Sequence, residues 1–140
     1  MRKFFYIIFA ICAVCLADVL EDLGCTHAEL LQKKGIPNAL FPVRQQKPTL
    51  DDIVFVYEDS YYYIYNNHFY RAFFTKRHIG EIYKGLQIGA PKSALTTLWG
   101  NNYQLERDGL VWNKPGFIIV AKITTENALE SIWFIKEERK

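Results

Sequence analysis

Asn66-Asn67 separates two runs made almost wholly of aromatic and β-branched residues, Tyr61 to Tyr65 and His68 to Phe74. Asparagine tolerates the positive φ of a tight turn, so this stretch commits the chain to an antiparallel hairpin. The other short apolar runs then find their place as strands beside it. Ile53 to Tyr57 precedes the hairpin, and Gly109 to Trp112, Phe117 to Ile123 and Leu129 to Lys136 follow it. Asn113-Lys114-Pro115-Gly116 and Thr124-Thr125-Glu126-Asn127 have turn composition. Pro42 to Pro48, polar and proline-bounded, reads as a loop. Lys76 to His78 is a basic connector, and Ile79 to Leu86 fits no single template.

Two segments carry helix signals. Thr26 and Glu29 have capping-box spacing, Gly35 supplies a left-handed stop and Pro37 forbids continuation. Sixty-five residues on, Pro91 suits a first helical turn and Gly100 a stop. Between the segments Gly24 aligns with Gly89, Leu30 with Leu95 and Gly35 with Gly100. The order helix, strands, connector, helix, strands predicts an α+β class, with short helices packed on one face of an antiparallel sheet. The spaced similarity admits two tandem αβ units, 18–75 and 79–136.

The N-terminus is organised differently. Arg2 and Lys3 precede an uninterrupted apolar run of 13 residues, Phe4 to Leu16, and Ala17 closes it before Asp18. Charge, apolar core and small residues near the cut make a secretory signal over 1–17. The run is shorter than the roughly 18 residues that read as a membrane span. Export to a periplasm or the exterior is therefore expected, followed by a single domain over 18–140. The alternatives are a retained anchor and lipidation at Cys15, where Val14 and Cys12 occupy positions that a lipobox fills with a small residue and leucine. Membrane contact is expected only in those two cases.

Seventeen basic and fifteen acidic residues become fifteen of each once Arg2 and Lys3 are removed. A balanced chain offers no basic footprint for nucleic acid. Cys12 and Cys15 lie in the signal, which leaves Cys25 without an internal disulfide partner; a small residue packed at a helix start is favoured over a reactive thiol. His27, His68 and His78 show no metal-ligand spacing and read as surface residues. Ser60, Ser93 and Ser131 lack a nucleophile setting, and Cys25 diverges from His27 at a helix start. The acid pairs Glu21-Asp22, Asp51-Asp52 and Glu58-Asp59 read as solvated. No catalytic residue, metal or cofactor is expected.

One resemblance supplements this reading. Gly85-Leu86-Gln87-Ile88-Gly89 through Gly100, leading into three strands that end in Leu129-Glu130-Ser131-Ile132-Trp133-Phe134, resembles the β-lactamase-inhibitor-protein and SmpA/OmlA-like group of small exported domains. It covers 79–136 best and 23–74 more faintly. It implies helices on a sheet whose open face binds a partner. The missing lipobox departs from the assembly-lipoprotein members, and no functional residue of the group carries over.

The residues themselves suggest which face that is. A two-residue turn at Asn66-Asn67 sets Tyr63 opposite Tyr70 and Ile64 opposite Phe69. Alternation then gathers Tyr61, Tyr63, Tyr65, His68, Tyr70 and Phe74 on one face, against Tyr62, Ile64, Phe69, Arg71 and Phe73 on the other. Tyrosines bury area at low entropy cost, as binding surfaces often do. Tyr61, Tyr63, Tyr65, His68 and Tyr70 are the expected contacts of a protein partner, unless the rings merely cover the sheet. The expected role is an exported, non-enzymatic binding domain; an envelope structural or assembly factor is the alternative, and a small secreted enzyme a third. The N-terminal reading predicts that export leaves a chain starting at Asp18. Intact-mass analysis of the exported protein checks this, and a chain retaining residues 1–17 contradicts it.

Overall fold

Turn chemistry sets the element boundaries. In the computed structural model, which describes residues 18–47 and 51–137, Asn66 and Asn67 take φ values of 47° and 68°. They turn β3 (Ser60–Tyr65) into β4 (His68–Phe74). Before this hairpin come α1 (Val19–Asp22), α2 (His27–Lys34), β1 (Ala39–Val43) and β2 (Asp52–Tyr57). After it come α3 (Lys92–Trp99), β5 (Gln104–Glu106), β6 (Gly109–Lys114), β7 (Phe117–Ile123) and β8 (Leu129–Lys136). The expected signal, residues 1–17, lies outside the described residues, as does Pro48.

All eight strands form one antiparallel sheet of order β1-β2-β3-β4-β8-β7-β6-β5. It consists of two four-stranded meanders joined through β4 and β8. This corrects the expected α+β class. The sheet dominates, and helices of four and eight residues are too short to make a layer over it. Glycine stops cut both longer helices after two turns, with φ of 79° at Gly35 and 89° at Gly100. Irregular chain supplies the remaining cover: Ile82 and Leu86, in the stretch that matched no template, are buried in the core beside Leu30, Leu95 and Trp99.

Two strands were missed for identifiable reasons. β1 contains Pro42, which cannot donate to a ladder but is tolerated at a sheet edge. β5 is a three-residue edge strand, wholly exposed, with no apolar alternation to betray it.

The two halves make matching contacts at corresponding positions. The amide of Gly24 donates to the carbonyl of Phe69 (2.6 Å), and that of Phe69 to Cys25 (2.8 Å). Likewise Gly89 donates to Leu129 (2.8 Å) and Leu129 to Ala90 (2.8 Å). Leu30 and Leu95 are both fully buried. Tyr57 donates its hydroxyl to the carbonyl of Gly35, and Trp112 its indole N–H to that of Gly100, each at 2.9 Å. Each half also has one register shift, at Tyr63/Ile64 and at Lys122/Ile123. On β4 the extra residue is Tyr70; on β8 it is Glu130.

Backbone packs closely where β6 passes β7. Gly109 has φ of 136°, and a Cβ there would overlap the carbonyl of Ala121. Gly109→Ala should therefore destabilise the fold by roughly 2–3 kcal/mol, from backbone strain and overpacking together. Gly116→Ala, at a positive φ but in open space, should cost about 1 kcal/mol. Urea unfolding midpoints of the two variants check the ordering.

Candidate functional site

The face of the sheet turned away from the helices carries a continuous apolar row. Register places Val56, Tyr61, Phe73, Trp133, Val120 and Val111 side by side across six strands. At its centre the rings of Phe73 and Trp133 stack, with centroids 4.2 Å apart and planes 16° apart. Tyr61 stacks on Phe73 at 6.3 Å, and Phe41 from the edge strand meets Tyr61 edge-on at 6.3 Å. Tyr63 lies 5.7 Å from Trp133. Such pairs contribute roughly 0.5–1.5 kcal/mol each beyond their buried area.

Arg71 lies among these rings. Its guanidinium carbon is 4.3 Å from the ring centre of Tyr63, 5.1 Å from that of Trp133 and 5.4 Å from that of Tyr70. Its Nη2 reaches the carboxylate of Asp52 at 3.9 Å, and its Nε is buried without a hydrogen-bond acceptor among the described residues. Asp52 is only 5% exposed and accepts a hydrogen bond of 2.6 Å from the Tyr70 hydroxyl. Burial, then the Asp52 hydrogen bond, pushes the Tyr70 phenol well above its ordinary range. Beside this cluster a groove of about 820 Å³ opens, bounded by Arg71, Phe73 and Trp133 on one side and by the Glu106–Gly109 turn on the other.

The expected site residues are only partly brought together. Tyr61 and Tyr63 belong to the aromatic row, and Tyr70 holds Asp52 below Arg71. Tyr65 meets Tyr70 edge-on at 6.4 Å, at the end of the hairpin. His68 pairs with Tyr65 beside the turn, and its Nδ1 lies 2.9 Å from the Asn66 carbonyl. The expected pairing of Ile64 with Phe69 is present, whereas Tyr63 faces Arg71 rather than Tyr70. The cause is the bulge at Tyr70, which inserts one residue and reverses the phase of everything after it. Phe74 therefore enters the core, and Arg71 and Phe73 emerge on the tyrosine side.

Sequence reasoning missed four participants: Asp52, Arg71, Phe73 and Trp133. Adjacency to Asp51 made Asp52 look solvated, yet only Asp51 bonds outward, to Arg44 at 2.6 Å and to the Gln45 amide at 2.8 Å. Asp22 is likewise buried, 2.7 Å from Lys33. Trp133 had a usable signal, since it alternates with the buried Ile132 and Phe134. Cys25 is half-buried against the core, where burial raises its thiol pKa above the ordinary value. His78 is half-buried rather than fully exposed, and packs edge-on against Phe74 at 4.9 Å.

No family model matches this chain, and no curated protein matches it in sequence. Among the solved structures that share its fold are these two. One is an extracellular protein containing an SCP domain from Bacillus anthracis str. Ames, with a TM-score of 0.65 and 11% identity over 86% of this chain. The other is a cysteine-rich secretory protein from Staphylococcus aureus subsp. aureus Mu50, with a TM-score of 0.61 and 15% identity over 86% of this chain. The chain spans 46% and 45% of their respective lengths, so the shared fold is a part of each longer protein.

The raised Tyr70 pKa has a pH consequence. Above pH 10, the ordinary tyrosine value, the unfolded chain loses the phenolic proton while the folded chain keeps it. Stability should fall as pH rises from there. Tyr62, raised by burial, adds to the same slope. Tyr70→Phe should flatten part of the alkaline loss, read from denaturation midpoints between pH 9 and 11 (about one unit either side of the ordinary value).

Proposed function

We propose that this chain is an exported, non-enzymatic domain that binds a protein partner through the sheet face carrying Tyr61, Tyr63, Arg71, Phe73 and Trp133. The observation that carries the reading is the arginine held between aromatic rings with an unfilled Nε donor, beside an open groove. Aromatic residues and arginine are the groups enriched where interfaces derive most of their binding energy. Their stacking fixes the rings before a partner arrives, which lowers the entropic cost of association. From the inhibitor-protein resemblance the reading keeps one idea, an open sheet face that receives a partner.

Export rests on the N-terminal pattern of Arg2, Lys3 and the apolar run to Leu16. The two structural neighbours, described as extracellular and secretory, are in keeping with it. We further propose that 18–75 and 79–136 are tandem units of one pattern, supported by the paired contacts at Gly24 and Gly89 and at Gly35 and Gly100.

Affinity capture from extracts of the compartment receiving the exported chain tests the reading. The full parent chain should retain a partner that Tyr63→Ala and Arg71→Glu each release, with affinity reduced at least about tenfold. His68→Ala, at the turn, should keep it. Equal retention by all forms, or a partner recovered only with membranes after high-salt washing, would replace the binding module with an envelope structural role.

A further inference from the structure

The opposite face of the sheet holds a second feature, independent of the partner-binding reading. Lys34 and Trp99 occupy corresponding positions, each the last residue of its helix and each followed by a glycine stop. In the second half Trp99 fills the space beneath its helix. It stacks on Tyr83 at 5.9 Å and packs against Trp112 at 5.8 Å and Phe134 at 5.9 Å. In the first half a lysine stands there instead, and a cavity of about 490 Å³ remains beside it. That volume lies within the ordinary range for small-molecule sites.

The cavity wall is unusual in what it leaves unpaired. The Lys34 ammonium lies 4.8 Å from the ring centre of Tyr62 and 5.4 Å from that of Tyr57. No carboxylate among the described residues forms an ion pair with it, whereas its neighbour Lys33 is bound to Asp22. Both ring nitrogens of His78 are buried without a hydrogen-bond partner. Withdrawing the His78 nitrogens from water without partners is costly. Consistently, burial lowers the pKa of Lys34 and of His78, with the Lys34 charge adding to the effect on His78. Tyr57 and Phe74 contribute aromatic surface to the same wall.

We propose that this cavity binds a small carboxylate with an apolar or aromatic body. The carboxylate pairs with Lys34 and accepts from a His78 N–H, while the body lies against Tyr57 and Phe74. An anion fits beside Lys34 and His78, the two donors of the wall without a partner among the described residues. The competing reading comes from Asp18, Glu21, Asp22, Glu58 and Glu81, which also line the cavity and would favour a cation; of these Asp22 is buried and already paired with Lys33.

Titration calorimetry on the full chain separates these readings with three probes of one shape: 3-phenylpropanoate, 3-phenylpropanol and 3-phenylpropylammonium. The proposal expects the acid to bind at least about tenfold more tightly than the alcohol or the ammonium, the margin of a charge-assisted hydrogen bond. Lys34→Trp, which copies the plug of the other half, should abolish binding with a thermal midpoint equal to or above the parent's. Lys34→Met leaves the cavity largely open and should weaken acid binding about tenfold. It serves as the second variant should the indole not fit. Preference for the ammonium, undiminished acid binding in both variants, or no binding of any probe would overturn the proposal.

Discussion

The pairing of β4 with β8 is the contact on which the rest of the structure depends. Four residue pairs, from Arg71↔Ile135 to Phe74↔Ile132, turn two meanders into one sheet. Without them each meander would present an unpaired strand edge to solvent. The central pair, Phe73 and Trp133, stacks on the outer side. On the inner side Phe74 meets Phe134 edge-on at 6.0 Å, and Phe134 packs against Trp99. One short ladder therefore supports both the core and the aromatic face.

Around this ladder the halves share contacts but differ in side chains, and the differences fall at the two features of functional interest. On the outer side the bulge of the first half sets Tyr63 beside the extra residue Tyr70. The corresponding positions of the second hold an ion pair, Lys122 with Glu130 at 3.2 Å. On the inner side Trp99 closes one half, and Lys34 leaves the other open. The glycine stops and buried leucines are common to both halves, while the aromatic face and the cavity fall where the halves differ in side chain.

Much of the sheet was legible in the sequence because it depends on local chemistry. β4, β7 and β8 fall where the apolar runs place them, and β2, β3 and β6 differ by one or two end residues. The Thr26–Glu29 capping box forms as its spacing predicts. What was not legible depends on long-range contact. The edge strands β1 and β5 take their extended form from neighbours rather than from their own composition. The two eight-residue helices, expected where α2 and α3 form, were given too large a share of the architecture, and the single turn of α1 was not expected. The bulge at Tyr70 is the most consequential omission, since no residue type announces it and it decides which face Arg71, Phe73 and Phe74 occupy. Asp52 was hidden for a similar reason, its burial being set by Tyr70 and Arg71 across the sheet.

Native-state hydrogen exchange, resolved by residue, tests the central claim that the two meanders stand or fall together through this ladder. The amides of Arg71–Phe74 and Ile132–Ile135 should be among the last to exchange, at a common opening free energy equal to that of global unfolding. Exchange of one meander at lower free energy, while the other keeps its protection, would contradict the account and make the halves separately stable units.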